Sequence, residues 1–438
     1  MKYKVKEVLE FVKENDVKFV RLAFCDIFGV QKNIAIMAYE LEKAFYEGIS
    51  FDGSSITGFL DSAQSDLLLF PDPSTISILP WRPQQGRVVR FFCDIKTPNK
   101  ENFISDSRNI LKKTLNRSIS MGYELQIGTE CEFYLFKTDE NGNPSFITQD
   151  RGTYFDMAPV DKGENIRREI CICLEDMGIM PETSHHEQGP GQNEIDFKYS
   201  DILTAADNFL TFKSVVKAIA SRNGLFASFM PKPLKDKSGN GLHINISILK
   251  NGKNIFEGEE GNYSDEVKSF IAGILNRIKE ITLFLNSISN SYERFGTFKA
   301  PKYISWSCEN RSQLIRIPAA TGDNVRMELR SADCALNPYI AFALVISAGL
   351  EGIEKALCLN EPINENLYTL SKNLLEKIDT LPKDINEAIE FAKESEFVKS
   401  ILGSEFLNKY ITLKEDEVKK SIDIKFKDEL NKRYFETI

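Results

Sequence analysis

The chain has 438 residues, of which 42% are hydrophobic and 27% charged, and its formal net charge at pH 7 is −9. This length predicts a large core and two domains, and the acidic balance argues against a nucleic-acid partner, which would require clustered Lys and Arg. The eight cysteines include no CxxC pair, so we expect reduced thiols and neither a disulfide framework nor a zinc knuckle. The nearly apolar run from Tyr339 to Leu350 is too short to cross a bilayer, and the first residues lack an apolar signal core. We therefore expect a cytoplasmic protein with no membrane partner.

The first hundred residues alternate strand-like runs with turns. The runs cover 17–28, 30–37, 74–81 and 87–95, and the second reads as the return of a hairpin. The character of the sequence changes around Pro98 and Asn99. We place a domain boundary there, which gives an N-terminal domain of residues 1–100 and a second domain of residues 101–438.

Beyond residue 100, helical segments alternate with strands. Capping residues and glycine stops predict helices at 105–122, 164–177, 205–223, 265–290 and after Asn337-Pro338. Ser105 is the expected cap of the first of these helices. From Glu361 on, we expect a charged helical part without a motif that carries chemistry.

Five glutamates and one histidine lie on segments that read as strands or strand ends: Glu130, Glu132, Glu187, Glu194, His243 and Glu328. Side chains two residues apart in a strand share a face, so Glu130 and Glu132 point the same way. Carboxylates with one imidazole suit Mg²⁺ or Mn²⁺, and two such ions form a clamp for a transferring phosphoryl group. Glu130 and Glu132 alone are a weak pattern that also fits an exposed edge strand. Of the adjacent His185 and His186, at most one can face the ions, because neighbours in a strand point to opposite sides.

Four arginines follow in a short stretch: Arg294, Arg311, Arg316 and Arg330. They are either salt-bridge partners of the glutamates or a wall that binds phosphate and carboxylate groups. The sequence has neither a Walker loop nor a GxGxxG motif. A nucleotide would therefore be held by metals and arginines rather than by a glycine-rich loop.

Six segments resemble the motifs of the glutamine synthetase family, of the bacterial type I kind. They are FDGSS at 51–55, GTECEF at 128–133, SHHEQGPGQNEIDF at 184–197, SGNGLH at 238–243, NRSQLIRIP at 310–318 and MELRSADCALNPY at 327–339. The resemblance implies an α+β fold, in which an N-terminal β-grasp domain precedes a catalytic domain with a curved antiparallel sheet, or partial barrel, and helices. It also implies a dodecamer of two stacked hexameric rings, with active sites between subunits. The implied activity is ATP-dependent ligation of ammonia to L-glutamate through γ-glutamyl phosphate, giving L-glutamine.

The resemblance further implies residue roles. One Mg²⁺ or Mn²⁺ ion would be bound by Glu132, Glu187 and Glu194, and a second by Glu130, His243 and Glu328. The substrate-binding residues would be Arg294, Gly239, Tyr154, Ser55, Arg311 and Arg330. ATP would meet Glu182, Ser247, Arg311 and Arg316. The groups implied in catalysis are Asp52, supplied by a neighbouring subunit, Glu194 and Arg330, together with position 299 on the flap over the site.

This chain departs from the family pattern at three positions. Lys299 stands where the family's flap carries a glutamate that helps take a proton from ammonium, and a protonated lysine repels that cation. Ser238 stands in place of an asparagine near the glutamate substrate, and Asn245 in place of a second histidine near the nucleotide. Two alternatives therefore stay open: a γ-glutamyl ligase that uses an organic amine, and a weakly active regulatory homologue.

Overall fold

The computed structural model describes residues 3–63, 65–82, 84–257, 263–421 and 424–438. The strands, β1 to β16 in chain order, are Val17–Cys25, Gln31–Met37, Ile49–Asp52, Asp66–Pro71, Ser77–Ile78, Arg87–Lys96, Tyr123–Thr138, Pro144–Thr148, Pro181–His186, Gln192–Asp201, Leu225–Ser228, Leu242–Lys250, Lys253–Asn254, Trp306–Cys308, Ile315–Ile317 and Met327–Leu329. The helices, α1 to α12, are Val5–Glu14, Leu41–Tyr46, Ser107–Ser120, Glu164–Asp176, Ile202–Arg222, Asp265–Leu285, Pro338–Glu354, Lys372–Leu375, Ile385–Glu394, Glu396–Leu402, Ser404–Lys420 and Ile424–Thr437. No helix in the described part of the chain has the length and apolar character that a membrane span requires.

The first sheet has six strands in the order β2-β1-β6-β4-β3, with β5 added to β6. Strands β1 and β2 form the predicted antiparallel hairpin, whereas β1 and β6 pair in parallel. Alternate residues of β1 enter different cores. Leu22 and Phe24 pack within the N-terminal part, while Ala23 and Cys25 pack into the large core of the rest of the chain.

The second sheet has ten strands, with the path β14-β15-β16-β12-β7-β10-β9 and three short additions. Its pairs are antiparallel except for β14 and β15. Helices α3 and α5 pack against the central strand β7, and their apolar faces cover the buried side of the sheet. The expected α+β architecture, with a large sheet and helices, is confirmed.

The structure corrects several predicted element boundaries. Ser105 does not cap α3, because Asp106 accepts the hydrogen bond from the backbone N–H of Arg108 at 3.0 Å. Helix α6 ends at Leu285: the backbone N–H of Asn286 still bonds to Thr282 O, but Asn286 leaves the helical conformation, and its side-chain amide donates to Ser331 O and Asp333 Oδ2. The segment 361–371 is not helical, and the two N-terminal helices α1 and α2 were not predicted.

Candidate active site

The central strand β7 has one buried and one partly exposed side. From Tyr123 to Phe133 its odd-numbered residues are buried, while Glu130 and Glu132 lie on the other side. Pairing then aligns more polar residues with them: Glu130 is opposite His243 of β12, and Glu132 is opposite Glu194 of β10. Residues directly opposite in an antiparallel pair share a face. The sheet therefore collects these side chains on one surface.

The first cluster consists of Glu130, His243 and Glu328, whose candidate ligand atoms all lie within 4.8 Å of one another. The Nδ1 atom of His243 is 2.8 Å from Glu130 Oε2 and 3.3 Å from Glu328 Oε1. Asn245 donates to the other oxygen of Glu130 at 3.0 Å. One imidazole nitrogen and several carboxylate oxygens converge in a geometry that fits a divalent cation.

The second cluster consists of His185, Glu187 and Glu194, again within 4.8 Å. The Nε2 atom of His185 is 3.1 Å from Glu187 Oε1 and 3.6 Å from Glu194 Oε1. Glu132 is not part of this close group. Its Oε2 atom instead accepts from Gln192 Nε2 at 3.1 Å and from the backbone N–H of Gly241 at 2.8 Å.

The two adjacent histidines have different surroundings. His186 is fully buried, and its Nε2 atom lies 3.0 Å from Asp150, which also accepts three backbone N–H groups. Nearby, Asp161 is paired with Arg167. This third acidic group is satisfied by protein donors, so His185 is the histidine that faces the candidate metal region. Sequence alternation excluded a shared face but did not select between the two.

Around the second cluster, the carboxylates repel one another and their pKa values are raised. Burial, followed by the charges of Asp196 and Glu132, raises the pKa of Glu194 well above its usual range. Burial and Glu187 likewise raise the pKa of Glu132, and burial with Glu130 raises that of Asp196 to about 7. Carboxylates that repel each other in this way gain stability from a bound cation.

Two of the four arginines are salt-bridge partners of Glu328, and a third, Arg294, is held by backbone carbonyls. Arg316 Nη1 is 2.9 Å from Glu328 Oε2, and Arg330 Nη1 is 2.7 Å from Glu328 Oε1. Glu328 is therefore an ion-pair partner as well as a candidate ligand. Arg294 instead donates to the carbonyl oxygens of Ser331 and Ala332 at 3.1 and 3.2 Å. These bonds fix its side chain beside the glutamates.

A cavity of ≈ 260 Å³ joins both clusters. Most of the predicted substrate and catalytic residues line it: Glu130, Glu132, Tyr154, Glu187, Glu194, Gly239, His243, Arg294, Lys299, Arg311 and Arg330. At Gly239, a Cβ atom would lie 2.5 Å from Pro231 O and 2.8 Å from Arg294 Cγ. Only glycine fits this close approach without a shift of its neighbours.

A second cavity of ≈ 170 Å³ shares Glu130 with the first and is lined by Glu182 and Ser247, the predicted nucleotide contacts. Arg326 also lines it and donates to Asn245 Oδ1 at 2.9 Å. Sequence reasoning missed Arg326, although it shares the two-residue spacing of Glu328 and Arg330.

Asp52 and Ser55 line neither of these two cavities within the described chain. Asp52 is exposed and accepts hydrogen bonds from Ser54 and Ser55, which lower its pKa. Within the described part of one subunit, these two predicted site residues belong to neither metal cluster and neither cavity.

The flap residue Lys299 contributes a cation to the acidic cavity. Its Nζ atom lies 5.8 Å from the centre of the Tyr154 ring, at the outer range of a cation–π contact. Phe298 and Lys299 have φ values of 45° and 68°, which place two consecutive non-glycine residues in the left-handed region. Backbone bonds between Gly296 and Ala300, and between Ala300 and Thr297, close this turn.

A curved sheet that gathers carboxylates, imidazoles and arginines around one cavity is typical of metal-assisted enzymes that handle phosphorylated substrates. The family model "Glutamine synthetase, beta-Grasp domain" matches residues 16–98, and "Glutamine synthetase, catalytic domain" matches residues 104–432. The chain belongs to the glutamine synthetase family.

Known proteins resemble the chain over nearly its whole length. Glutamine synthetase of Clostridium saccharobutylicum is 46% identical over 421 residues, which cover 95% of each chain. That of Methanosarcina mazei is 48% identical over 416 residues, or 94% of this chain and 93% of the relative. A solved GmaS–ADP complex has a TM-score of 0.85 at 28% identity, covering 93% of this chain and 95% of its own. The Plasmodium falciparum glutamine synthetase has a TM-score of 0.85 at 27% identity, covering 96% of both.

Proposed function

We propose that the cavity shared by the two clusters is the active site in which the chain joins ammonia to L-glutamate at the expense of ATP. The chain is a glutamate–ammonia ligase that produces L-glutamine, as family membership and relatives of this name over 94–95% of its length support. One observation carries the assignment to this site: two groups of carboxylate and imidazole ligands face one cavity lined with arginines. The organic-amine and regulatory alternatives are not favoured.

A direct test is an acceptor screen that measures ADP release with glutamate, ATP and Mg²⁺. Ammonia should give the fastest turnover of the physiological amines offered, and release should fall to background without glutamate. Faster turnover with an organic amine than with ammonia would contradict the proposed substrate.

The site residues suit two divalent ions, Mg²⁺ or Mn²⁺. Glu130, His243 and Glu328 would hold one, and Glu132, Glu187 and Glu194 the other, with His185 beside it. Such ions supply positive charge to phosphate oxygens. Gln192 and the backbone of Gly241 hold Glu132 in place, and Asn245 holds Glu130, so the chain prepares the ligand positions through its own hydrogen bonds.

The remaining residues divide by the substrate that they would bind. Arg294 and Gly239 would bind glutamate, with Tyr154 and the partner subunit's Ser55 beside the ammonium. Glu182, Ser247, Arg311 and Arg316 would contact ATP. Arg330, which lines the cavity and reaches Glu328, would stabilise the phosphoryl group during transfer through γ-glutamyl phosphate. Asp52 and Glu194 would take the proton from ammonium.

We also propose that the working form is a dodecamer with sites between subunits, since Asp52 and Ser55 line neither cavity of their own chain. The sheet of β1 to β6 and its own small core support a domain of residues 1–100 followed by one of 101–438. A cytoplasmic location is consistent with the use of ATP.

Removal of metal should reduce both stability and activity. Divalent ions that bind only the folded state raise its stability, and here they also relieve repulsion among Glu132, Glu187 and Glu194. EDTA should therefore lower the melting temperature by about 3 °C or more and stop ATP turnover, and excess Mg²⁺ should restore both. If melting and turnover are both unchanged in EDTA, the metal sites are wrong.

Lys299→Glu should increase the rate with ammonia by about tenfold or more, the low side of what a positioned general base contributes. The change removes a cation from the cavity that receives ammonium and adds a carboxylate. Lys299→Gln is the matched control, because it removes the charge without adding a base. Hydroxylamine, which is largely neutral near pH 7, should be used more readily than ammonia by the unchanged chain.

An ammonia rate that responds to neither substitution would show that the flap charge does not matter. In that case Asp52 or Glu194 takes the proton without help from position 299.

A further inference from the structure

We propose that the junction between the N-terminal sheet and helix α5 contains a binding site for a small oxyanion, such as phosphate or a short carboxylate. The site is a cavity of ≈ 170 Å³, separate from the two described above. It lies on the face of the first sheet that carries Arg21 and Arg90, and Thr211 and Ser214 of α5 close it. It does not depend on the proposed function.

Two like charges stand side by side in this cavity. Arg21 of β1 is directly paired with Arg90 of β6 in the parallel register, so their side chains share a face. Like charges directly opposite on adjacent strands destabilise a sheet. No carboxylate is among the residues that line the cavity in the described structure. The natural way to offset this repulsion is an anion between the two guanidinium groups.

Arg90 has an unused donor. It is only 8% exposed, and its Nη1 atom donates to Thr211 Oγ1 at 3.0 Å. Its Nε atom is buried without a hydrogen-bond partner. A buried donor of this kind costs about 1–3 kcal/mol, and more when the group is charged. An acceptor in the cavity would remove that cost.

The carboxylate with the largest effect on Arg90, Asp207, does not compensate for its charge. Asp207 acts on Arg90 from a distance, but both of its oxygens already accept hydrogen bonds from Arg108, at 3.1 and 2.9 Å. Burial accordingly lowers the pKa of Arg90 to about 10. The Arg90 guanidinium also lies over the Phe92 ring, at 3.9 Å from its centre, but no carboxylate in the described structure forms an ion pair with it, so the protein balances its positive charge only partly.

The rest of the lining suits an oxyanion. Gln31, Asn33 and Ser214 offer amide and hydroxyl groups, and Trp81 adds an indole ring at the edge. Gln31 and Ser214 are already hydrogen-bonded to each other at 2.9 Å, which fixes one wall. Two guanidinium groups with neutral polar partners bind the oxygens of phosphate or carboxylate well and have no preference for a metal cation.

The test measures anion binding by thermal shift and calorimetry at constant ionic strength, with inorganic phosphate in one arm and succinate in the other. All chains carry Arg330→Gln, which should weaken phosphate binding in the cavity that Arg330 lines. Arg90→Gln and Arg21→Gln should each weaken binding of the preferred anion at least tenfold. Arg168→Gln, at an exposed arginine outside the cavity, is the matched control and should leave it unchanged.

The two arms identify the kind of oxyanion. The ligand of this site is the anion whose binding is reduced by both Arg90→Gln and Arg21→Gln. If neither anion binds in the Arg330→Gln background, or if Arg90→Gln and Arg21→Gln bind as the control does, the proposal is wrong. Should Arg90→Gln fail to fold, the half-buried Arg21 decides the outcome.

Discussion

Arg330→Ala should lower kcat by about 100- to 1,000-fold, the loss typical when one preorganised donor to a developing charge is removed. Arg330 is buried, lines the candidate cavity and is held by Glu328, so its guanidinium is oriented before the phosphoryl group moves. An interaction that matters in the transition state affects kcat more than substrate binding. Steady-state kinetics with ATP as the varied substrate measures the difference.

Arg326→Ala is the comparison for this experiment. Arg326 lines the second cavity with Glu182 and Ser247, so its loss should raise KM for ATP more than it lowers kcat. If Arg330→Ala gives that same pattern, with nucleotide affinity lost and turnover kept at saturation, Arg330 binds the ground state and not the transition state.

Asp52→Ala should abolish turnover and keep the melting response to Mg²⁺, because Asp52 belongs to neither metal cluster. Glu328→Ala should abolish turnover through the metal site. When the two inactive chains exchange subunits at equal amounts, about one quarter of the sites should combine an intact residue from each neighbour. Turnover should then return to that fraction.

Two results would count against sites between subunits. One is a monomer in light scattering. The other is no recovery of turnover after subunit exchange has been verified by mass. The Asp52 substitution also removes the hydrogen bonds to Ser54 and Ser55, so a melting curve of Asp52→Ala must accompany the activity data.

The sequence predicted the polar face of the large sheet because a strand has a fixed period of two. That rule alone placed Glu130 with Glu132, and Glu328 with Arg330, before any register was known. Extending it by one step would have found Arg326. The sequence also predicted the β1–β2 hairpin, since strands close in sequence usually pair.

Other features depend on information that a local pattern does not contain. His185, and not His186, faces the candidate metal region because the ring of His186 bonds to Asp150, which is 36 residues away in the sequence. Ser105 and Asp106 are both good helix caps, and only the fold decides which side chain turns toward the helix. Helix α1 was missed although Val8 and Val12 show the helical spacing of a buried face.

Strand β1 links the two halves of the molecule mechanically. Its successive side chains are buried in different cores. The N-terminal sheet therefore cannot rotate about this strand alone, and a shift of the sheet must also move the side chains that β1 contributes to the large core. In a ring of subunits in which each N-terminal sheet contributes residues to the neighbour's active site, a displacement of one sheet would alter the active sites of both subunits. Adjacent sites would then adjust together, and a one-residue deletion in β1 would disturb both by exchanging its two faces.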